Sequence, residues 1–474
     1  MDGKIRVILR GEFHEKIMRT KTIGAFFDSL AETYDKRTGE FSYYHNFLRD
    51  FYASIIPPQK NVLEIGCATG GLLNTLKPKL GVGIDISSRM IIRARENHPH
   101  LDFFQCELSE YQKNDAFDYV VLSNVLDYVD DLILFFTSLK KNLRYDSKII
   151  ITTVNPTWQP ILKLLEVLKL KTPDPYRHFI TNLDVINILS LLDYDIIEKG
   201  YRLILPLPVP LIGNLINKVF SRIPVINNFC LMQFIVAKPK RILPELSCSV
   251  VIPCFNEAEN IEACVAAVPK LGAFTEIVVV NDGSLDATAD IVKKLLATKK
   301  NLKLVSYQPN RGKGYALKEG FSHCTGDVII ILDADMAVMP DELPLFLTPI
   351  QEGKAEFING TRMVYKMESK AMNFARFSGN KIFGIIVSLI VGQRNTDTLC
   401  GTKSFLRKYT PYIKMGRCKW GDYDLLFGAA KTKMKMIEMP IHYQTRKAGK
   451  SKMKLIRDGL HFLKVCYWGI NEVP

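Results

Sequence analysis

Two carboxylates one residue apart, Asp333 and Asp335, close an apolar run, Val328-Ile329-Ile330-Ile331-Leu332, that Pro340 follows. Five consecutive aliphatic residues read as a strand buried on both faces. Residues i and i+2 of an extended chain project to the same side, so both acids can face one hard divalent cation, Mg²⁺ or Mn²⁺. Two similar triplets occur elsewhere, Asp193-Tyr194-Asp195 and Asp422-Tyr423-Asp424. Position separates Asp333 and Asp335 from them, because open α/β sheets bind ligands at the carboxyl ends of their strands.

A second constellation lies in the first half. The short apolar strand Asn61 to Ile65 runs into Gly66-Cys67-Ala68-Thr69-Gly70-Gly71. Gly66 and Gly70 are expected to let backbone approach a nucleoside closely. Asp85 ends the next strand, Gly81 to Ile84, where a carboxylate can accept hydrogen bonds from both ribose hydroxyls. The pyrophosphate-binding pattern G-x-G-x-x-G is not matched, since Ala68 stands at its second glycine, and this disfavours a dinucleotide.

The elements that position these residues fall into two halves. A chain of 474 residues exceeds one ordinary core, and the order of motifs indicates two domains. With 47% hydrophobic and 24% charged residues, the composition excludes a disordered or fibrous chain. Ten cysteines show no C-x-x-C spacing, and Met1 to Lys21 carries charges throughout without an apolar signal core. A reducing cytoplasm is therefore expected. Net charge is +14, and residues 403–457 hold fifteen basic and three acidic residues, which calls for anionic partners. No apolar run reaches the roughly 18–20 residues of a membrane span. Ile382 to Val391 and Leu203 to Phe220 come nearest and suit an interface or a packed core.

In the first half, Phe26 to Pro58 reads as lead-in helices. Further strands are expected at Phe117 to Leu122, at Lys148 to Thr153, and in a closing pair around Ile196 to Arg202 and Leu231 to Ala237. Over about residues 25–240 the pattern resembles the class I S-adenosylmethionine-dependent methyltransferases. The resemblance rests on Glu64-Ile65-Gly66-Cys67-Ala68-Thr69-Gly70, on Asp85, and on Gln105-Cys106-Glu107-Leu108. It implies that Glu64, Gly66, Gly70, Asp85 and Glu107 bind S-adenosylmethionine. No Cys-His, Ser-His or paired-acid base stands out, so the methyl acceptor is not legible. Tyr176, Arg177 and His178 lie in a loop placed to cover the site.

The charged, proline-bracketed stretch Lys238 to Glu245 reads as the linker, giving domains 1–240 and 248–474 joined by 241–247. In the second half, strands are expected at Ser249 to Pro253, Glu276 to Val280 and Leu302 to Tyr307, with Ser284 capping the helix through Leu296. Asn310-Arg311-Gly312-Lys313-Gly314 forms a basic glycine turn suited to a phosphorylated ligand. From Cys248 to about Tyr467 this order resembles family 2 glycosyltransferases of the GT-A fold. The stretches Asn359 to Arg362, Asp397 to Phe405, Gly421 to Leu426 and Ile441 to Lys452 resemble their polyprenyl- and dolichyl-phosphate branch. The resemblance implies that Pro253, Glu257, Asp282, Lys313 and Asp333 hold a UDP- or GDP-sugar, with the metal on Asp333 and Asp335. Asp424 and Arg446 would lie near the reacting centre.

Bringing a diphosphate donor to a phosphate acceptor requires cations, and Arg362, Arg376, Arg446 and Lys452 are the candidate clamps on the lipid phosphate. Lys452 to Tyr467 has an apolar stripe at helical spacing among basic residues, suited to a membrane surface. The basic segment lacks the aromatic interleaving of a nucleic-acid surface, and no nucleic-acid partner is expected.

The expected architecture is α/β, two Rossmann-like domains, a seven-stranded methyltransferase sheet followed by a GT-A glycosyltransferase sheet. The expected function is a bifunctional transferase, peripheral on the cytoplasmic face of a membrane. The alternative is a glycosyltransferase with a non-catalytic N-terminal domain that binds S-adenosylmethionine or serves as a scaffold.

Overall fold

The computed structural model describes residues 19–40, 42–111, 116–174, 176–209, 213, 216–217, 220–223, 225–240, 243, 245–364, 374–443 and 455–473. The chain divides into two units, Met1–Lys240 and Arg241–Pro474. The expected linker is shorter than its composition suggests. Leu246 is buried in the second core, and Ser247 donates from N and Oγ to Asp327 at 3.0 and 2.7 Å.

The first unit is built on β1 (Asn61–Ile65), β2 (Leu80–Asp85), β3 (Asp102–Gln105), β4 (Phe117–Ser123), β5 (Leu143–Val154), β6 (Tyr194–Arg202) and β7 (Met232–Pro239). Their order is β3-β2-β1-β4-β5-β7-β6, and β7 runs antiparallel to both its neighbours. Adjacent residues alternate between two cores, Val62 and Val121 packing on one face and Leu63, Val120 and Leu122 on the other. That two-sided burial is why these strands are aliphatic throughout instead of alternating with polar residues. β5 starts five residues before the expected Lys148, across an irregularity in its pairing with β4. The expected closing pair is present as β6 and β7.

The second unit carries β8 (Cys248–Cys254), β9 (Thr275–Asp282), β10 (Leu302–Tyr307), β11 (Val328–Ile331), β12 (Phe357–Thr361), β13 (Lys403–Leu406) and β14 (Met436–Pro440). The order is β10-β9-β8-β11-β13-β12-β14, with β13 antiparallel to β11 and β12. All four β11 residues are fully buried, each contributing about 1.5–3 kcal/mol of apolar burial. In both sheets the first strand lies between the second and the fourth, so the chain reverses its direction of winding there. The crevice at the carboxyl ends of those strands is where such sheets take ligands.

The apolar run from Ile382 belongs to the helix Phe374–Val391, which buries Val387, Ile390 and Val391 and exposes Ile382 and Ile385. The helix Leu455–Glu472 packs beside it, with the Phe383 and Phe462 rings 5.8 Å apart. No helix among the described residues is long and apolar enough to cross a membrane.

Candidate functional site

In the first unit, β1 runs into a turn with Gly66 at φ +74° and Gly70 at φ +78°, a region that favours glycine. A Cβ on Gly66 would stand 2.8 Å from Val125 Cγ2, and one on Gly70 would stand 2.5 Å from Phe103 Cζ. Besides the close approach that the spacing suggested, both glycines make room for side chains of the protein itself. Ala68 also takes a positive φ, +46°, and its N–H donates to Asp85 Oδ2 at 2.9 Å. Ser87 N donates to Asp85 Oδ1 at 2.9 Å, so the carboxylate is fixed at the end of β2.

Asp85 lines a cavity of about 1080 Å³, together with Glu64, Gly66 and Glu107. Gly70 is absent from that wall. Burial pushes the Glu64 carboxyl up to about 8, and its Oε2 accepts no hydrogen bond. Burial also raises Asp85. An acid wall with an orphaned oxygen suits a ligand that brings positive charge.

The lead-in helices complete the cavity in a way the sequence did not disclose. Asp35 accepts from Thr69 Oγ1 at 2.7 Å, and Asn124 Nδ2 donates to Tyr44 Oη at 3.1 Å. His45 also lines the cavity, and burial, with the charge of Arg49 adding to it, lowers its imidazole to about 4. It is therefore a neutral base at physiological pH. These aromatic residues read as ordinary core at helical spacing, because their partners lie up to 80 residues away. Of the expected covering loop, Arg177 reaches the cavity wall, with Nε 3.5 Å from Asp127 and 3.6 Å from Asp174. Tyr176 packs edge-on against Phe26.

In the second unit, Asp333 and Asp335 follow directly on β11. Lys313, which opens the helix Lys313–Ser322, donates from Nζ to Asp333 Oδ1 at 2.5 Å. Burial opposes its charge, but Asp333, Asp422 and Asp335 outweigh burial and hold the ammonium above the usual lysine range. Gly401 packs against this pair: a Cβ there would lie 2.0 Å from Asp333 Oδ2 and 2.8 Å from Lys313 Nζ. Asp335 Oδ1 accepts from Ala337 N at 3.1 Å. Among the described residues, no group of three or more His, Cys, Asp or Glu could hold a metal ion. Two carboxylates suffice for Mg²⁺ where substrate phosphates and water complete the shell, so the donor set fits a substrate-completed site.

Asp282, at the end of β9, accepts from Arg311 N at 2.8 Å, Gly312 N at 2.9 Å and Asn310 Nδ2 at 2.8 Å. It thereby shapes the basic glycine turn that delivers Lys313. Pro253 lies on β8 beside Val280, and Glu257 accepts from Asn260 Nδ2 at 2.9 Å. Ser284 does not cap the next helix, which starts at Thr288; its hydroxyl accepts from Asn256 N at 2.9 Å instead.

Two expected roles change. Asp424 is buried with both oxygens taken by the N–H groups of Gly416, Arg417 and Cys418 at 2.8–3.1 Å. Burial raises it to about 6 against those bonds, and it ties a turn together instead of standing free as a base. The acid that faces the centre is Asp422, which accepts from the fully buried Lys403 Nζ at 2.7 Å and acts on the charge of Lys313. Arg362 spends its fork on Asp397, with Nε and Nη2 each at 2.7 Å, so it is not an open clamp for a phosphate. Asp397 starts the segment that ends at Gly401 against Asp333, which makes Arg362 a positioning residue for the acid pair. Arg446 and Lys452 lie outside the described residues, as does the side chain of Arg376.

Residues 249–413 match Glycosyl transferase family 2, and residues 41–199 match Methyltransferase domain. The undecaprenyl-phosphate 4-deoxy-4-formamido-L-arabinose transferase of Salmonella paratyphi A is 30% identical over 216 residues, which cover 44% of this chain and 63% of that protein. The chain thus spans less than two thirds of the length of the curated relatives it matches. Among solved structures, glucosyl-3-phosphoglycerate synthase from Mycobacterium tuberculosis, in complex with Mn²⁺, UDP and glucosyl-3-phosphoglycerate, aligns with TM-score 0.37 and 18% identity over 48% of this chain and 80% of its own. Magnesium protoporphyrin IX methyltransferase from Synechocystis, with bound SAH, aligns with TM-score 0.34 and 16% identity over 46% of this chain and 99% of its own.

Proposed function

From a chain that joins a methyltransferase domain to a family 2 glycosyltransferase domain, we propose a bifunctional enzyme. The second unit moves a sugar from a UDP- or GDP-sugar to a polyprenyl phosphate, and the first moves a methyl group from S-adenosylmethionine to an acceptor of its own. Both work at the cytoplasmic face of a membrane, to which the protein binds peripherally. The polyprenyl-phosphate reading is supported by the similarity to the undecaprenyl-phosphate transferase.

The observation that carries the glycosyl transfer is the acid pair after β11, with Lys313 bonded to Asp333 and Gly401 packed against both. Asp333 and Asp335 would hold Mg²⁺ or Mn²⁺, which supplies charge neutralisation for a departing nucleoside diphosphate. Lys313 orients the Asp333 carboxylate and adds a second positive charge beside the diphosphate. Asp282 holds the 310–312 turn so that its backbone and Arg311 border the donor. A phosphate acceptor is already ionised at neutral pH, so no side chain has to remove its proton. That agrees with an Asp424 held in place by the N–H groups of the 416–418 turn.

In the first unit, Glu64, Asp85 and Glu107 line the cavity and would hold S-adenosylmethionine, whose sulfonium makes the methyl group electrophilic. Asp85 keeps lone pairs for ribose hydroxyls beyond the two it gives to backbone N–H groups. The unpartnered Glu64 Oε2 suits the ammonium of the methionine end. His45, neutral and on the same wall, can accept a proton from the methyl acceptor.

The test is incubation with radiolabelled nucleotide-sugars, a polyprenyl phosphate and Mn²⁺. Label is expected in the organic phase from at least one donor. None from a full panel of UDP- and GDP-sugars, under conditions where a related transferase works, overturns the glycosyl reading. Calorimetry with S-adenosylmethionine tests the other half, and absence of binding favours a scaffold.

A further inference from the structure

The helix Gln159–Val167 stands over the first unit's cavity and contains no buried residue. One stripe, Trp158, Leu162 and Leu165, lines the cavity. The other stripe faces outward: Ile161 is 45% exposed, Leu164 57% and Leu168 56%, with Val167 at 78% beside them. A helix apolar on two sides gains nothing from water on either, and this one is not packed into a core.

The apolar surface extends beyond the helix. Trp158 Nε1 donates to Phe229 O at 2.9 Å and Asn155 Nδ2 to Asn228 O at 2.9 Å, which fastens the turn Ile226–Phe229 beside the helix. Phe229 is 67% exposed. The exposed charged side chains of the helix and of the residues just after it are basic. Lys163 and Lys169 are exposed, whereas Glu166 is neutralised by Lys171 Nζ at 2.5 Å. Like charges on the face repel a second copy and suit anionic headgroups, and apolar side chains ringed by lysines with a tryptophan at the border are the composition of an interfacial helix.

We infer that the helix Gln159–Val167 and the turn Ile226–Phe229 dock on an anionic lipid bilayer, so that the mouth of the cavity opens at lipid and the methyl acceptor is a lipid-anchored molecule. The acceptor class rests on the S-adenosylmethionine reading of this cavity; the docking does not. Entry from the bilayer explains why the same helix is apolar toward the cavity and away from it.

The experiment uses the full chain with Val167→Cys carrying an environment-sensitive fluorophore. Lys79→Cys, exposed before β2 at the opposite end of the sheet, serves as the control. Both variants share the same native thiols, all buried except the half-buried Cys106, so background labelling cancels. Vesicles of phosphatidylglycerol and phosphatidylcholine are expected to blue-shift the Val167 probe and leave the Lys79 probe unchanged, and adding Leu164→Glu should abolish the shift. No shift at Val167, or equal shifts at both positions, overturns the docking. A shift without vesicles that grows with protein concentration assigns the face to a second copy and also overturns it. A probe already blue-shifted in the free protein at every concentration assigns the face to another part of the chain, and the docking is then overturned as well. Calorimetry on the same samples separates the two readings: docking without S-adenosylmethionine binding sinks the donor, and the converse sinks the docking.

Discussion

The two units solve the same electrostatic problem in opposite ways. Each places carboxylates at the ends of parallel strands next to the point where the winding reverses. In the second unit three acids of the site are matched by a cation of the chain, Asp333 by Lys313, Asp422 by Lys403 and Asp397 by Arg362, while Asp282 is held by backbone N–H groups and Asn310. In the first unit no cation among the described residues is paired with Glu64 or Asp85, and burial raises both toward the neutral form. A site proposed to receive a highly charged anion keeps its acids compensated beforehand, because an unpaired buried charge is costly. A site whose proposed ligand is itself cationic can leave its acids waiting. The difference explains why one unit has a wide cavity and the other a tight cluster of ion pairs.

The largest expected effect falls on the matched side. Arg362→Met leaves Asp397 buried without its cation and should destabilise the second unit by about 3–5 kcal/mol, read from denaturant unfolding. A loss under about 1 kcal/mol would break the contrast. Asp335→Ala should lower sugar transfer by about a hundredfold with the fold intact, measured as kcat on polyprenyl phosphate. Asp424→Asn serves as its counterpart: it should cost stability through the 416–418 turn, about 1–3 kcal/mol, before it touches chemistry.

The unmatched side is probed by pH. The folded Glu64 holds its proton up to about 8, against an ordinary 4.5, so the folded state binds a proton that the unfolded chain gives up. This contribution is fully present below about 4.5 and is lost as pH rises through 8. The melting temperature of the first unit should therefore fall between these values, and Glu64→Gln should flatten the fall. An unchanged slope would show that Glu64 is already compensated. The smallest effect is Ala68→Gly, which relieves a left-handed alanine and should stabilise the first unit by about 1 kcal/mol in thermal melts.

Much of this was legible before any fold. Aliphatic runs ending in acids marked β2 and β11, and the separation of Gly66 from Asp85 marked the first cavity, because strand period and turn chemistry are local properties. Local pattern did not disclose that the missing Cβ atoms of the first turn's glycines face Val125 and Phe103. It also could not decide between Asp422 and Asp424, which lie two residues apart in the first turn of one helix.

That two α/β sheets lie in tandem, and which strand ends carry acids, could be read along the chain, since burial period and spacing are written there. Which acid meets which cation became visible only once the chain was folded. Arg362 and Asp397 stand 35 residues apart, and Tyr44 and Asn124 stand 80 apart. Partners at such separations are chosen by how helices and loops close over the sheet, and no local propensity records that choice.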